Sequence, residues 1–373
     1  KHPKRTVISN PVAPPARPSL SLNECQFQEI SVTLIMDLPG AISALSESRD
    51  LSGEEMQEVV SIVMRGEATP AQIGAFLTAL HIKGETVVEL VAAARVMRQF
   101  AAVVDVESAK VVDSVGTGGD SAGLFNVSTA AALVAAAQGS VLAKHGNRAA
   151  TGNSGSADVL EAAGVNIALT PVQVTETINT VGIGFMFAPT HHGATRHAVG
   201  PRREIGVRTL FNLLGPLTNP ADAKYQLVGV FDRRWVHPIT EVFKVLGSIH
   251  TIVVHSDDGL DEISIAAPTS ASELRDGEIV DYVIKPEDFG IERQALDTIR
   301  VASAKASLEM IRNALAGAQG PAYDMVAINA GATIYAADRT GSLALGVKEA
   351  RRVLDSGEAL KKLEEMAKFT QQF

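Results

Sequence analysis

The hydrophobic period of this chain changes once, near residue 103, and the change separates two kinds of architecture. Between Leu51 and Phe100 the runs EEMQEVVSIVMRG, PAQIGAFLTALHIKG and VVELVAAARVMRQF carry apolar residues at helical spacing. Ser52 with Glu55, Thr69 with Gln72 and Thr86 with Glu89 fit the capping box, in which side chain and backbone satisfy each other at a helix start. Pro70 falls at a first helical position, and Gly66 and Gly84 fall where helices should stop. Three short helices are expected here. Beyond residue 103, the segments 111–115, 140–144, 182–187, 225–231 and 250–256 read as buried strands. Helical patterns at 129–138, 155–163, 171–181, 236–246 and 303–316 alternate with them, and 342–370 is helical again. Alternation of this kind predicts an α/β fold: a small all-helical domain followed by a larger α/β domain with a central, largely parallel sheet.

Composition narrows the function classes. Cys25 is the only cysteine, which excludes a disulfide framework and thiolate zinc sites. No window approaches 18 consecutive apolar residues, so a membrane span is not expected. Residues 1–23 contain no acid but hold Lys1, Lys4, Arg5 and Arg17, so the remaining chain sets 29 bases against 42 acids, a net of −13. So acidic a body, without a basic tract, argues against nucleic acid as partner. Residues 1–35 lack hydrophobic periodicity and the apolar stretch of a secretory signal. They read as a disordered leader or upstream extension, with Met36 as the natural start and a cytoplasmic location for the rest.

Four blocks carry chemistry. In DSVGTGGDSAGLFNVSTAAALVAAA (113–137) a strand ends in Gly116, Gly118 and Gly119, then Asn126, Ser128 and Thr129 open an apolar helix. Glycine turns and helix starts both present backbone N–H groups to an anion. An ordinary capped strand–turn–helix would share the spacing, but two such features within 14 residues favour a phosphate ester. Neither the Walker pattern nor the dinucleotide fingerprint is present. LAKHGNRAATGNSGSADVLEAAG (142–164) places Lys144, His145, Asn147 and Arg148 on a small-residue loop suited to closing over negative charge, although His145 alone reads more readily as structural than as catalytic. In the block 187–221, His191, His192 and His197 lack the carboxylate spacing of a zinc site, while Arg202, Arg203 and Arg208 are each able to hold a carboxylate bidentately. Asp261 and Glu262, in HSDDGLDEIS (255–264), read as hard-cation ligands or as a solvated acidic turn.

In order, GTGGD, NVST, KHGNRA, SGSADVLEAAG, RTLFNLLGPLTNPA and DE, preceded by GEATPAQIGAFLTALHIKGET, resemble the anthranilate phosphoribosyltransferase family from about Leu38 onward. The resemblance implies transfer of ribose 5-phosphate from phosphoribosyl pyrophosphate to the amine of anthranilate, with Mg²⁺ and loss of pyrophosphate. It implies that Gly116, Gly119, Asp120, Asn126, Val127, Ser128 and Thr129 surround the donor. Lys144, His145, Gly146, Asn147, Arg148, Ala149, Ala150, Thr151 and Gly152 would form a closing loop, with Ser156 behind it. Gly116, Asn147 and Arg202 would meet anthranilate, and Ser128, Asp261 and Glu262 the metal. The resemblance also implies a helical domain over 36–103, completed by helices within about 193–213. That domain would face an α/β domain over 104–373 across a hinged cleft and pair into a homodimer.

Leu124, Thr195-Arg196 and Thr151-Gly152 depart from the family's usual residues but remove no phosphate, metal or carboxylate partner. Two rival readings share the architecture. A pyrimidine-nucleoside phosphorylase would use inorganic phosphate and would not need the Asp261-Glu262 pair, and a non-catalytic relative would bind nucleic acid, against the charge of the body.

Overall fold

The computed structural model describes residues 36–118, 122–149 and 153–373. The leading segment 1–35 and the loop positions Gly119, Asp120, Ala150, Thr151 and Gly152 lie outside the described residues. Helices α1 (Leu38–Ser46), α2 (Gly53–Arg65), α3 (Pro70–Lys83) and α4 (Val87–Phe100) come first. All three expected capping boxes form, each with both arms present. Glu89 does more than close its box: fully buried, its carboxylate also accepts from the Leu51 N–H at 3.0 Å and from Lys83 Nζ at 3.0 Å. Helix α1, capped by Asp37 alone, was not anticipated, because it lacks the reciprocal Glu or Gln that marks the other starts.

Next come strand β1 (Val111–Gly116), helix α5 (Val127–Gln138), β2 (Val141–Gly146), α6 (Ser156–Ala162), α7 (Pro171–Val181) and β3 (Ile183–Phe187). A connecting stretch holds α8 (Ala188–His191), α9 (Arg196–Ile205) and α10 (Leu210–Leu217), and leads to β4 (Tyr225–Gly229), α11 (Val236–Val245) and β5 (His250–Ser256). A hairpin of β6 (Thr269–Arg275) and β7 (Glu278–Ile284) follows, then α12 (Ala304–Leu315), α13 (Pro321–Ala336), α14 (Leu343–Ser356) and α15 (Glu358–Thr370).

The described strands form one sheet in the order β3-β2-β1-β4-β5-β6-β7. The first five run parallel, and β6 and β7 pair antiparallel at the edge. Two large cores cover the sheet's faces, with a smaller cluster in which Val111, Ala143 and Met186 of β1, β2 and β3 join Val174 and Ile178 of α7. On one face, α5 is buried along almost its whole length and packs with α13, α14 and α15. On the other face, Val228, Val253 and Leu274 join a core that continues through α11 into the helices at the N-terminal end of the described chain and α10. The helical layer is therefore seated on the sheet through one continuous apolar cluster.

Candidate active site

Chain order reverses between β1 and β4, since β2 and β3 lie to one side of β1 and β4 and β5 to the other. In open α/β sheets the crevice at the carboxyl ends of the strands flanking such a reversal is where ligands bind. Gly116 and Gly229 end these two strands and stand opposite each other in register. Both are glycine for the same reason. A Cβ on Gly116 would lie 2.5 Å from Asp261 Oδ2, and one on Gly229 would overlap the Asp261 carbonyl. Asp261 is wedged into the switch point itself, nearly buried.

From there the chemistry assembles outward. Asp261 Oδ2 accepts from the Gly118 N–H at 2.8 Å, and Gly118 has a positive φ of 67° that glycine adopts without strain. Glu262 Oε1 accepts from the Ser128 N–H at 3.1 Å, in the first turn of α5. The two acids thus sit on donors of both anion-receptive features, the glycine turn and the helix start. Lys144, at the end of β2, is buried and donates to the Ser114 carbonyl at 2.6 Å and to Ser128 Oγ at 3.3 Å. Burial pushes its ammonium below the ordinary lysine range, against the pull of Asp113 and Glu262. Asp113 is its buried counter-ion: burial pushes that carboxyl up to about 6 while Lys144, the Asn219 amide and the His145 N–H draw it down. Asn219 Nδ2 donates to Asp113 Oδ2 at 2.7 Å and to the Ala143 carbonyl at 2.9 Å. The Thr129 hydroxyl, next along α5, is buried with no hydrogen-bond partner among the described residues.

His145 lies against His192, ring centroids 5.0 Å apart, and its Nδ1 meets the Gly215 carbonyl at 3.3 Å, which places the proton of the neutral ring there. Burial pushes His145 down to about 3 and His192 to about 4, so both are neutral. His191 is engaged with the Phe187 carbonyl at 3.0 Å, and among the described residues no group of three or more His, Cys, Asp or Glu could hold a metal.

The second loop is organised by the start of α6. Asp158 Oδ2 accepts from the Ala149 N–H at 3.0 Å and the Gly155 N–H at 2.9 Å, and the Asn147 carbonyl accepts from Ser156 Oγ at 3.3 Å. Gly146 leaves room for Ser156 Oγ and Phe185. Arg148 pairs with Asp158 at 2.9 Å and Glu161 at 2.8 Å, with its guanidinium 5.7 Å from the Phe187 ring. Its backbone N–H donates to Asn147 Oδ1 at 2.8 Å.

Arg202, on α9, is half-buried and stacks 5.1 Å over Phe211 of α10. Burial lowers its pKa, and it makes no ion pair with any described residue. A desolvated guanidinium without a carboxylate favours an anionic ligand. Of the expected site residues, Gly116, Ser128, Lys144, Asp261 and Glu262 meet at the switch point, joined by Val127 and Thr129 in the first turn of α5. Asp113, Asn219, Thr117, Ser154 and Ser307 were not anticipated. Thr117 continues the β1–β4 ladder, its N–H on the Gly229 carbonyl at 2.9 Å and its hydroxyl receiving the Phe231 N–H at 3.0 Å.

Fold and site together define a two-part glycosyl transferase. The family model described as "Glycosyl transferase family, a/b domain" matches residues 108–360, and that described as "Glycosyl transferase family, helical bundle domain" matches 39–101. Anthranilate phosphoribosyltransferase from Thioalkalivibrio sulfidiphilus is 58% identical over 335 residues, covering 90% of this chain and 99% of that protein. The crystal structure of anthranilate phosphoribosyltransferase from Thermus thermophilus superposes with a TM-score of 0.84 at 43% identity, covering 89% of this chain and 99% of that one. The Saccharomyces cerevisiae enzyme in complex with phosphoribosyl pyrophosphate and Mg superposes with a TM-score of 0.83 at 25% identity, covering 90% and 98%. The chain belongs to the anthranilate phosphoribosyltransferase family, enzymes of tryptophan biosynthesis.

Proposed function

We propose that this chain transfers the 5-phosphoribosyl group from phosphoribosyl pyrophosphate to the amine of anthranilate. The products are N-(5-phosphoribosyl)anthranilate and pyrophosphate, in the second step of tryptophan biosynthesis from chorismate. The observation that carries the reading is the convergence at the β1–β4 switch point. Two carboxylates, a buried lysine and N–H donors from a glycine turn and a helix start meet there. Departure of pyrophosphate leaves an oxocarbenium-like ribosyl centre, so the protein must hold developing negative charge and place the nucleophile. The glycine turn, the first turn of α5 with its Thr129 hydroxyl unpartnered among the described residues, and Lys144 suit the phosphates, with Asn126, Val127 and the loop Lys144–Ala149 around them. Arg202 and Asn147 suit anthranilate, the guanidinium fixing its carboxylate. An aromatic amine is already neutral at pH 7, so no strong general base is needed, in keeping with two buried neutral histidines.

The donors at hand for a metal are hard oxygens, the carboxylates of Asp261 and Glu262 with the Ser128 hydroxyl. This small set suits Mg²⁺, which keeps waters and shares substrate phosphates. When bound, the ion would neutralise charge on the leaving pyrophosphate. Residues 36–103 with the helices of 193–213 would move as one body against 104–373, and two copies would pair through the helical part, where Ile82 is 79% exposed. The location would be cytoplasmic. The test is the decay of anthranilate fluorescence, expected only when phosphoribosyl pyrophosphate and Mg²⁺ are both added. Phosphorolysis of thymidine or uridine in its place would overturn the reading in favour of a nucleoside phosphorylase.

A further inference from the structure

Asn126 occupies the N-cap of α5, where an Asn side chain ordinarily accepts from N–H groups of its own helix. Here it makes no such bond. Its Nδ2 donates to the Ser154 carbonyl at 3.0 Å, and its Oδ1 accepts from Ser154 Oγ at 2.8 Å and from Ser307 Oγ at 2.8 Å. Its backbone N–H donates to the same Ser307 oxygen at 3.0 Å. Ser307, fully buried on α12, therefore both gives to and receives from one residue, and the Asn126 side chain has no freedom to turn toward its own helix.

The approach to α12 grips the same loops at further points. The Phe125 N–H donates to the Ile299 carbonyl at 3.2 Å, and the Val301 N–H to the Gly123 carbonyl at 2.8 Å. Leu124 and Arg300 form an antiparallel bridge. Asn153 Nδ2 donates to the Val301 carbonyl at 2.9 Å. Residues 299–307 thus hold the first loop at 123–126 and the second at 153–154, although more than 140 positions separate them from either in sequence.

We propose that Ser307 is a positioning residue for the phosphoribosyl donor: together with Ser154 it holds the Asn126 side chain away from the first turn of α5, and it fixes the two donor-binding loops relative to each other. The proposal rests on the phosphoribosyl-transfer reading for its kinetic assay. Without the Ser307 hydroxyl, Asn126 keeps only its bonds to Ser154, the tie from α12 to both loops is lost at its centre, and Oδ1 is freer to turn toward the first turn of α5.

Ser307→Ala should raise both the KM for phosphoribosyl pyrophosphate and its calorimetric Kd in Mg²⁺ about tenfold. The KM for anthranilate should stay within twofold. In an Asn126→Ala background the same change should add less than twofold, because only the backbone N–H bond to Ser307 is left to lose. Asn153→Ala, at the loop surface, should weaken donor binding in the same sense without touching the core. Unchanged donor affinity in Ser307→Ala, an equal loss for both substrates, or full additivity with Asn126→Ala would each overturn the proposal. If Ser307→Ala does not fold, Asn153→Ala decides, and wild-type donor affinity there overturns it. Failure of the transfer reading itself would show as no turnover of anthranilate by the wild-type chain, and donor calorimetry would still test the loops.

Discussion

Gly116→Ala is the smallest change that should disable the centre of the site. The added methyl carbon would stand 2.5 Å from Asp261 Oδ2 and 3.0 Å from its Cγ, whereas ordinary contacts begin at 3.4 Å. The carboxylate oxygen must therefore retreat by roughly half an ångström to nearly one. That oxygen is the acceptor for the Gly118 N–H at 2.8 Å, so the movement breaks a charge-assisted bond that shapes the glycine turn. Such bonds contribute about 1.5–3 kcal/mol, which corresponds to a roughly 10- to 150-fold loss in kcat/KM for phosphoribosyl pyrophosphate. The assay is anthranilate fluorescence at varied donor and Mg²⁺, with the melting temperature measured alongside. Gly74→Ala serves as control, since its Cβ meets nothing within 4 Å on α3 and the helix should gain about 0.5–1 kcal/mol. The decisive arm is the double variant. With Asp261→Ala as background the clash disappears, and Gly116→Ala should cost almost nothing more. A full additional loss in that background would refute the claim that Gly116 is glycine because of Asp261.

The same geometry sets three further expectations. Arg202→Ala should raise the KM for anthranilate at least tenfold while that for phosphoribosyl pyrophosphate changes less than twofold. Arg202→Lys should not rescue it, because lysine offers neither the planar fork nor the stacking on Phe211, and full rescue would refute the assignment. Asp261→Asn with Glu262→Gln should abolish the response of donor affinity to Mg²⁺, yet strengthen calorimetric binding of inorganic pyrophosphate in metal-free buffer, since charge is removed beside the Gly118 and Ser128 N–H groups; weaker metal-free binding would refute it. The folded values of about 3 for His145 and about 4 for His192 lie below the unfolded 6.5, so their effect is absent above about pH 6.5, and stability is lost progressively as pH falls from there toward the folded values, because the unfolded chain takes up the protons first. Denaturant melts of His192→Asn between pH 7 and 4.5 should accordingly lose less stability than wild type, and parallel curves would refute the buried neutral pair.

What the sequence disclosed depended on how local the physics was. Capping boxes and parallel strands are written in neighbouring residues, and Ser52, Thr69 and Thr86 cap as their spacing implies. The hairpin β6–β7 escaped a reading tuned to apolar runs, because its strands are half polar. Its real signal was Asp276-Gly277, both with positive φ, the pair favoured in two-residue hairpin turns. Helix α13 was missed for the opposite reason: buried nearly throughout, it has no polar face to give a period. In the site, residues within motifs were legible from their types, whereas Asp113 and Ser307 were not. Asp113 reads as one polar position in a strand until Lys144 and Asn219 are brought against it from elsewhere in the chain. Ser307 reads as an ordinary helix serine until α12 carries it to Asn126.

The net charge of the body, −13 after residue 23, looks ill suited to a substrate rich in phosphate, and the structure resolves the conflict by placement. Among the described residues at the switch point, positive charge on a side chain comes from Lys144, which is buried and bonded to Ser114 and Ser128. Backbone N–H groups, which add no formal charge and are fixed before any ligand arrives, offset the carboxylates beside it. The two acids that would repel phosphate are already bonded to those donors, Asp261 held in place by Gly116 and Gly229 leaving it room. A fold that stacks glycines at the ends of β1 and β4 can therefore keep carboxylates and phosphate donors within one crevice. The bulk acidity of the rest of the surface then has little bearing on binding, because exposed charges beyond about 8 Å are screened at physiological salt.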